Sequence, residues 1–201
     1  MKKSFAYPII FMALLTAIFT VILSYLNYST AEKIEFLQGA ELQKKILYVF
    51  DIDVKSNEVE DITNLFNEKI ESEEIDEEII YTYKENGEVK GYAFPATGPG
   101  LWGTINAYVG ISPDYSELLG LEFITQDETP GLGGRITEDW YKEQFRGIDL
   151  TKASNNDYIV YRPATDGNVD AIAGATLTSK SVSKLVNEDM YEFIKGRKGG
   201  Q

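Results

Sequence analysis

The sequence predicts an α+β chain, with one N-terminal transmembrane helix followed by a single exported domain on a mainly antiparallel sheet. Three observations carry this expectation. Ala6–Tyr25 is a run of twenty apolar and uncharged polar residues. From Ile79 onward, segments of strand character follow one another with turns rather than helices between them, as in α+β rather than doubly wound folds. Two stretches nearer the C-terminus carry apolar residues at helical spacing. At 201 residues the chain suits one ordinary domain.

The elements follow in order. Twenty residues of helix roughly match the ~30 Å hydrocarbon core of a bilayer. Lys2 and Lys3 precede the run and the first acid is Glu32, a bias that favours a cytoplasmic N-terminus. Tyr7, Tyr25 and Tyr28 fall where interfacial rings are favoured, and Pro8 falls in the first turn, where its missing N–H costs little. The competing expectation is a cleaved signal peptide ending at Ser29-Thr30-Ala31, but the apolar run exceeds the usual ~7–15 residues of a signal core. The boundary is therefore set at 30/31: residues 1–30 as anchor, 31–201 as the exported domain. Ile34, Leu37, Leu42, Ile46, Leu47 and Phe50 then space an amphipathic helix, with Gly39 its weak spot. The acidic stretch from Asn64 to Ile80 is expected as a solvated face or loop. Asp51-Ile52-Asp53 opens like a calcium loop, but Ser56 and Ile62 stand where the glycine and final glutamate belong, and the motif is rejected.

Strands are expected at 79–84, after the Asn86-Gly87 turn at 89–96, at 104–112, at 118–125 beyond the Pro113–Ser116 turn, and at 158–163. Helices are expected at Glu138–Phe145 and Ser179–Lys195, the latter with Val182, Leu185, Val186, Met190, Phe193 and Ile194 in one stripe. The last six residues, from Gly196, are expected to fray.

Composition narrows the chemistry. The chain has no cysteine and no histidine. That removes disulfides, thiol nucleophiles, Cys-ligated clusters, Cys/His zinc sites and a Ser-His-Asp triad. The net charge is −13; without Lys2 and Lys3 the exported part holds 17 basic against 32 acidic residues, net −15. Such a surface is a poor partner for nucleic acid. Any chemistry must use carboxylates, hydroxyls, backbone groups or a borrowed cofactor.

Three glycine-rich clusters remain. Gly98-Pro99-Gly100-Leu101-Trp102-Gly103 spells the dinucleotide pattern, but β-like residues follow where a helix should open, so a nicotinamide fold is rejected. Trp102 is by default core, and otherwise flanks a planar ligand. Gln126–Arg135 holds an acid, a hydroxyl, a proline and three glycines, either a cradle of backbone N–H groups or an elaborate loop. Asp170–Ser179 leads into the last helix, with Thr178 or Ser179 as N-cap and small residues beside a helix N-terminus, where phosphate is favoured.

Asp170-x-x-Ala173-Gly174-Ala175-Thr176 resembles the flavinylation motif D-x-x-(S/T)-G-A-T. That motif occurs in the covalent-flavin components of two bacterial complexes: the G subunit of Rnf and the C subunit of the Na+-translocating NADH:quinone oxidoreductase (Nqr). GPGLWG (98–103) and ETPGLGG (128–134) are similar to that family's segments in the same order. The resemblance spans essentially the whole chain and implies an extracytoplasmic FMN-binding domain. It implies FMN joined through its phosphate to Thr176 by a flavin transferase that reads Asp170, Gly174 and Ala175, with Thr178 and Ser179 as lesser rivals. Ala173 departs from the pattern by lacking a hydroxyl. By the same resemblance, Glu128, Thr129 and the backbone of Gly131–Gly133 contact the ring edge, and Leu132 and Trp102 shield its faces.

The expected function is therefore an electron relay in a single-pass subunit of the bacterial inner or plasma membrane, with its domain periplasmic or extracellular. Its partners would be the other membrane subunits of an ion-translocating complex. LQKKILYVFDI is similar to the quinone-reductase version, and the short length to Rnf. The alternatives are a membrane-anchored ligand-binding or scaffolding protein without cofactor, and a stand-alone flavin reductase domain.

Overall fold

The computed structural model describes residues 6–199, with side chains through Arg197. Lys2 and Lys3, on which the expected orientation rests, lie outside the described residues, as do Gly200 and Gln201. The chain divides into two compact units, Met1–Glu41 and Leu42–Gln201.

The first unit is the larger part of helix α1 (Ala6–Val49). Ile10, Leu14, Ile18, Phe19, Ile22 and Leu26 are all exposed on it. A helix apolar on every side has no water-facing stripe, and this one is long and apolar enough to cross a membrane. The two helices expected at Ala6–Tyr25 and Ile34–Phe50 are one element. Gly39 lies inside it, because a single glycine costs only ~1 kcal/mol in a helix. Ser29 and Thr30 are also helical, their hydroxyls bonded back to the Leu26 carbonyl at 3.0 and 2.8 Å.

The second unit is built on a six-stranded antiparallel meander in which every strand pairs with its sequence neighbours. The strands are β1 (Ile70–Ile75), β2 (Glu78–Glu85), β3 (Glu88–Pro99), β4 (Thr104–Ile111), β5 (Glu117–Thr125) and the short β6 (Ile148–Asp149). Side chains alternate between two cores, as the pleat requires. On one face Phe94, Val109, Leu121 and Phe123 meet Tyr141, Phe145 and the Val182, Leu185, Val186 and Met190 stripe of the last helix. On the other, Tyr81 and Ala93 meet Ile46, Leu47 and Phe50 from the end of α1, with Ile62 and Phe66 of α2 (Val59–Lys69). The helices thus cover both faces of the sheet.

Several expectations are corrected. Helix α2 has no counterpart in the sequence reading, because its buried face is only Ile62 and Phe66, four residues apart. The acidic stretch is solvated, as expected, but it is not a loop. It forms the end of α2, edge strand β1 and the start of β2. Main-chain pairing to β2 needs no apolar side chains, and the exposed Glu71, Glu73 and Glu74 suit a sheet edge that must not pair further.

Residues 158–163 are not a strand. Ile159 is buried, which gives the segment its strand-like composition. Its backbone, however, bonds side chains: Ile159 N–H donates to Asn187 Oδ1 at 2.8 Å and Val160 N–H to Asn168 Oδ1 at 3.0 Å. Only an isolated parallel bridge, Tyr161 to Val169, remains. The expected helix at Glu138–Phe145 is helix α3 (Asp139–Lys142) plus a 3-10 turn. The last helix, α4, runs Thr176–Gly199, so it starts three residues early and takes in part of the stretch from Gly196 where fraying is expected.

Candidate functional site

All three glycine clusters converge at the N-terminal end of α4. The first, at the β3–β4 turn, closes with Gly100 N–H donating to Gly103 O at 2.7 Å. Strand β4 follows directly, which confirms that no dinucleotide helix opens there. The second follows β5. Its Thr129 carbonyl accepts the N–H groups of Leu132 (3.1 Å) and Gly134 (2.9 Å), and Gly131 takes φ +76° in open space. The third leads from Val169 into α4, with Gly174 at φ +81° and only Leu132 Cδ2, at 3.4 Å, near where a Cβ would stand.

One carboxylate joins them. Glu128 is 5% exposed. Its Oε1 accepts the N–H groups of Leu101 (2.6 Å) and Trp102 (3.2 Å), and its Oε2 accepts the Thr178 hydroxyl (2.5 Å). The glycines make this approach possible. A Cβ on Gly100 would stand 2.5 Å from Glu128 Oε1, and one on Gly133 would stand 2.5 Å from Thr178 Oγ1 and 2.6 Å from Glu128 Oε2. Real Cβ atoms essentially never come so close. Glu128 and Gly133 are buried in this junction, whereas Thr129, Gly131 and Leu132 are exposed at its surface. Both Glu128 oxygens are thus engaged inward by these three donors.

The hydroxyls of the third cluster differ sharply. Thr176 is exposed and has no hydrogen-bond partner for its hydroxyl among the described residues. Thr178 and Ser179 are each 1% exposed. Ser179 Oγ accepts the Ile172 N–H at 3.1 Å. Neither Thr178 nor Ser179 is the N-cap, because α4 has already begun at Thr176, where the loop turns at Gly174. Ala175 is buried and precedes the helix; Ala173 is exposed. Asp170 is exposed and pairs with Arg162 at 3.0 Å, while its N–H donates to Gln144 Oε1 at 2.8 Å. Gln144 and Arg162 carry no motif, and neither is legible as a site residue in the sequence.

An apolar rim surrounds the exposed hydroxyl's loop system. Trp102 is 71% exposed, so the core default for it does not hold. Leu101, Leu132 and Leu177 are also exposed. The first turn of α4 presents N–H groups with unfilled helix valence, the usual attraction for a phosphate. The residues present therefore fit a flavin phosphate: an exposed hydroxyl, a helix N-terminus, open space at Gly131, only Leu132 near Gly174, and apolar surface beside them.

An α+β domain with these clusters is an FMN-binding domain, and residues 100–190 match the family model of that description. The chain belongs to the family that comprises the G subunit of Rnf and the C subunit of Nqr. One relative is the G subunit of the Na(+)-translocating ferredoxin:NAD(+) oxidoreductase complex of Acetobacterium woodii. The chain is 32% identical to it, over 89% of its own length and 86% of the relative's. Another is the C subunit of the Na(+)-translocating NADH-quinone reductase of Pasteurella multocida, 32% identical over 61% of this chain. The chain spans about half of that protein, 46%. In fold it is similar to the crystal structure of the same reductase's C subunit from Parabacteroides distasonis, with TM-score 0.67 and 21% identity, covering 80% of this chain and 93% of that one. The family and the apolar helix together support membrane association.

Proposed function

We propose that this chain is the electron-transfer subunit of an ion-translocating membrane oxidoreductase complex of the Rnf or Nqr type, with FMN held covalently by a phosphoester to Thr176. The observation that carries the reading is the state of Thr176. It is an exposed hydroxyl at the N-terminus of α4, within a family whose domain binds FMN. In this reading α1 spans the membrane once, its N-terminus cytoplasmic and the domain outside. The other subunits of the complex, and a flavin transferase during maturation, are its partners.

Bound FMN supplies one- and two-electron transfer. The chain's residues hold and shield. First-turn N–H groups of α4 would neutralise the phosphate of the link. Thr129 and the Gly131–Gly133 backbone would hydrogen-bond the ring edge, and Leu132 and Trp102 would shield its faces from water. Asp170, Gly174 and Ala175 form the segment the transferase recognises. Attachment needs an activated flavin phosphate, such as a phosphoanhydride. A bond forms from Thr176 Oγ1 to phosphorus and the anhydride P–O bond breaks. The leaving phosphate keeps the electron pair, and the hydroxyl proton goes to a base of the transferase.

The test is co-expression of the full chain with a flavin transferase, followed by denaturation. Flavin fluorescence should stay with the polypeptide and its mass should rise by one FMN phosphoester. Thr176→Ala should lose both; a retained adduct in that variant overturns the assignment.

A further inference from the structure

Three hydroxyls of similar chemistry lie within four residues, at Thr176, Thr178 and Ser179. The motif points to Thr176, but the sequence carries no physical reason why its two neighbours are passed over; that reason must come from what surrounds each. We infer that Glu128 is a positioning residue that selects the acceptor hydroxyl, an inference that rests on the reading of Thr176 as the flavin attachment point.

The argument begins with the bond to Thr178. Its hydroxyl donates to Glu128 Oε2 at 2.5 Å, with both residues buried. Hydrogen bonds to a carboxylate are roughly twice as strong as neutral ones, and burial strengthens them further. Modifying Thr178 would break this bond and leave a buried carboxylate oxygen without its donor, a costly outcome. The backbone of Gly133 seals the junction, since no side chain fits there. Ser179 is withheld by a different contact, the Ile172 N–H. Thr176 is left as the exposed hydroxyl of the three.

The second oxygen extends the same role to the apolar rim. Through the N–H groups of Leu101 and Trp102, Glu128 Oε1 ties the β3–β4 turn to the first turn of α4. The stance of the Trp102 backbone beside the attachment helix is thus set by the residue that sequesters Thr178. One buried carboxylate accounts for both the choice of hydroxyl and the course of the turn that carries Trp102.

The experiment uses the full chain, co-expressed with a flavin transferase and solubilised in detergent. Peptide mass mapping locates the flavin, visible absorption reports its environment, and far-UV circular dichroism reports the fold. In the wild type all flavin should map to Thr176. In Glu128→Ala at least a tenth should map to Thr178, and the flavin absorption maxima should shift. Adding Thr178→Val to Glu128→Ala should return the label to Thr176 alone while the shifted spectrum persists, because the turn stays untied. Should Glu128→Ala fail to fold, Glu128→Gln decides. It keeps an acceptor for Leu101 and Trp102, while its amide nitrogen can only donate to Thr178 Oγ1; the Thr178 hydroxyl proton is then no longer held by a carboxylate, so Thr178 adduct should be detectable. A folded variant labelled only at Thr176 with the wild-type spectrum overturns the inference. Absence of flavin at Thr176 in the wild type instead overturns the reading beneath it, and the two failures are distinct.

Discussion

Gly131 and Gly133 stand two residues apart in one loop and answer to different constraints. Gly131 needs a backbone conformation, φ +76°, and has nothing within 4 Å of a would-be Cβ. Gly133 needs absence of volume, since its Cβ would strike Thr178 Oγ1 and Glu128 Oε2. Gly131→Ala should therefore cost only the left-handed strain, about 1–2 kcal/mol. Gly133→Ala should cost about 1–3 kcal/mol by overpacking, and should also open the Glu128 junction. Denaturant unfolding of the detergent-solubilised chain measures the first effect. The second is separated by the flavin absorption spectrum, which should move for Gly133→Ala and hold for Gly131→Ala. A sequence shows both residues simply as glycine. The motif Gly174-Ala175-Thr176 is legible there because its residues are contiguous and the proposed attachment would be local to it. The engagement of Glu128 by Trp102, Leu101 and Thr178 is not, because its partners lie 26, 27 and 50 residues away.

Among the elements, the end of α1 within the second unit is held by its buried Ile46, Leu47 and Val49, by Lys45 on the Phe123 and Ile124 carbonyls, and by one guanidinium. Arg146 donates through Nη2 to Tyr48 O (3.1 Å), and through Nη1 to Val49 O (3.3 Å) and Leu119 O (2.5 Å). It meets carbonyls of the helix's last turn, where intrahelical partners run out; Tyr48 O also accepts the Asp51 N–H at 3.0 Å. Arg146→Ala should lower unfolding stability by about 1–3 kcal/mol through the guanidinium's lost bonds to Val49 O and Leu119 O. The Arg146 hydrogen bond also holds the Glu143 carboxyl below its ordinary value of 4.5, with burial opposing. The unfolded chain then binds that proton more readily than the folded one. The contribution of Glu143 is complete above its unfolded value and is lost as pH falls through the lower folded value. Glu143 is half exposed, so solvent screens the effect. Thermal unfolding below pH 4.5 should depend less steeply on pH in Arg146→Ala; an unchanged slope would contradict the assigned cause. At this scale the sequence reveals strands β2 to β5, whose alternation and turns are local signals. It misplaces 158–163, where buried apolar residues imitate a strand while Asn168 and Asn187 take the backbone bonds. It misses β1 and α2, whose few buried residues leave little periodicity beneath the acidic charge.

For the whole molecule, the contrast between units is one of solvent. The first exposes apolar side chains around its full circumference, and the second buries its apolar residues on both faces of one sheet. Ile18 lies in the apolar run and is exposed. Ile18→Arg should weaken insertion by about 3 kcal/mol on biological insertion scales, read as a larger share of the chain released by alkaline carbonate from isolated membranes. The meander bears on how the domain is made. Along β1 to β5, each strand pairs with the next through a short loop closure, which keeps early folding local and fast. The N-terminal strands can zip up in order as the chain emerges. The glycine-rich loops join residues near 100, 130 and 176 and close only when α4 docks across β3, where Leu185 Cβ would come within 2.9 Å of a Cβ on Gly98. Assembly therefore has a natural sequence in time, the scaffold first and the hydroxyl-bearing helix last. An enzyme that recognises the finished loop system has, in that final docking, a checkpoint that admits only completed domains.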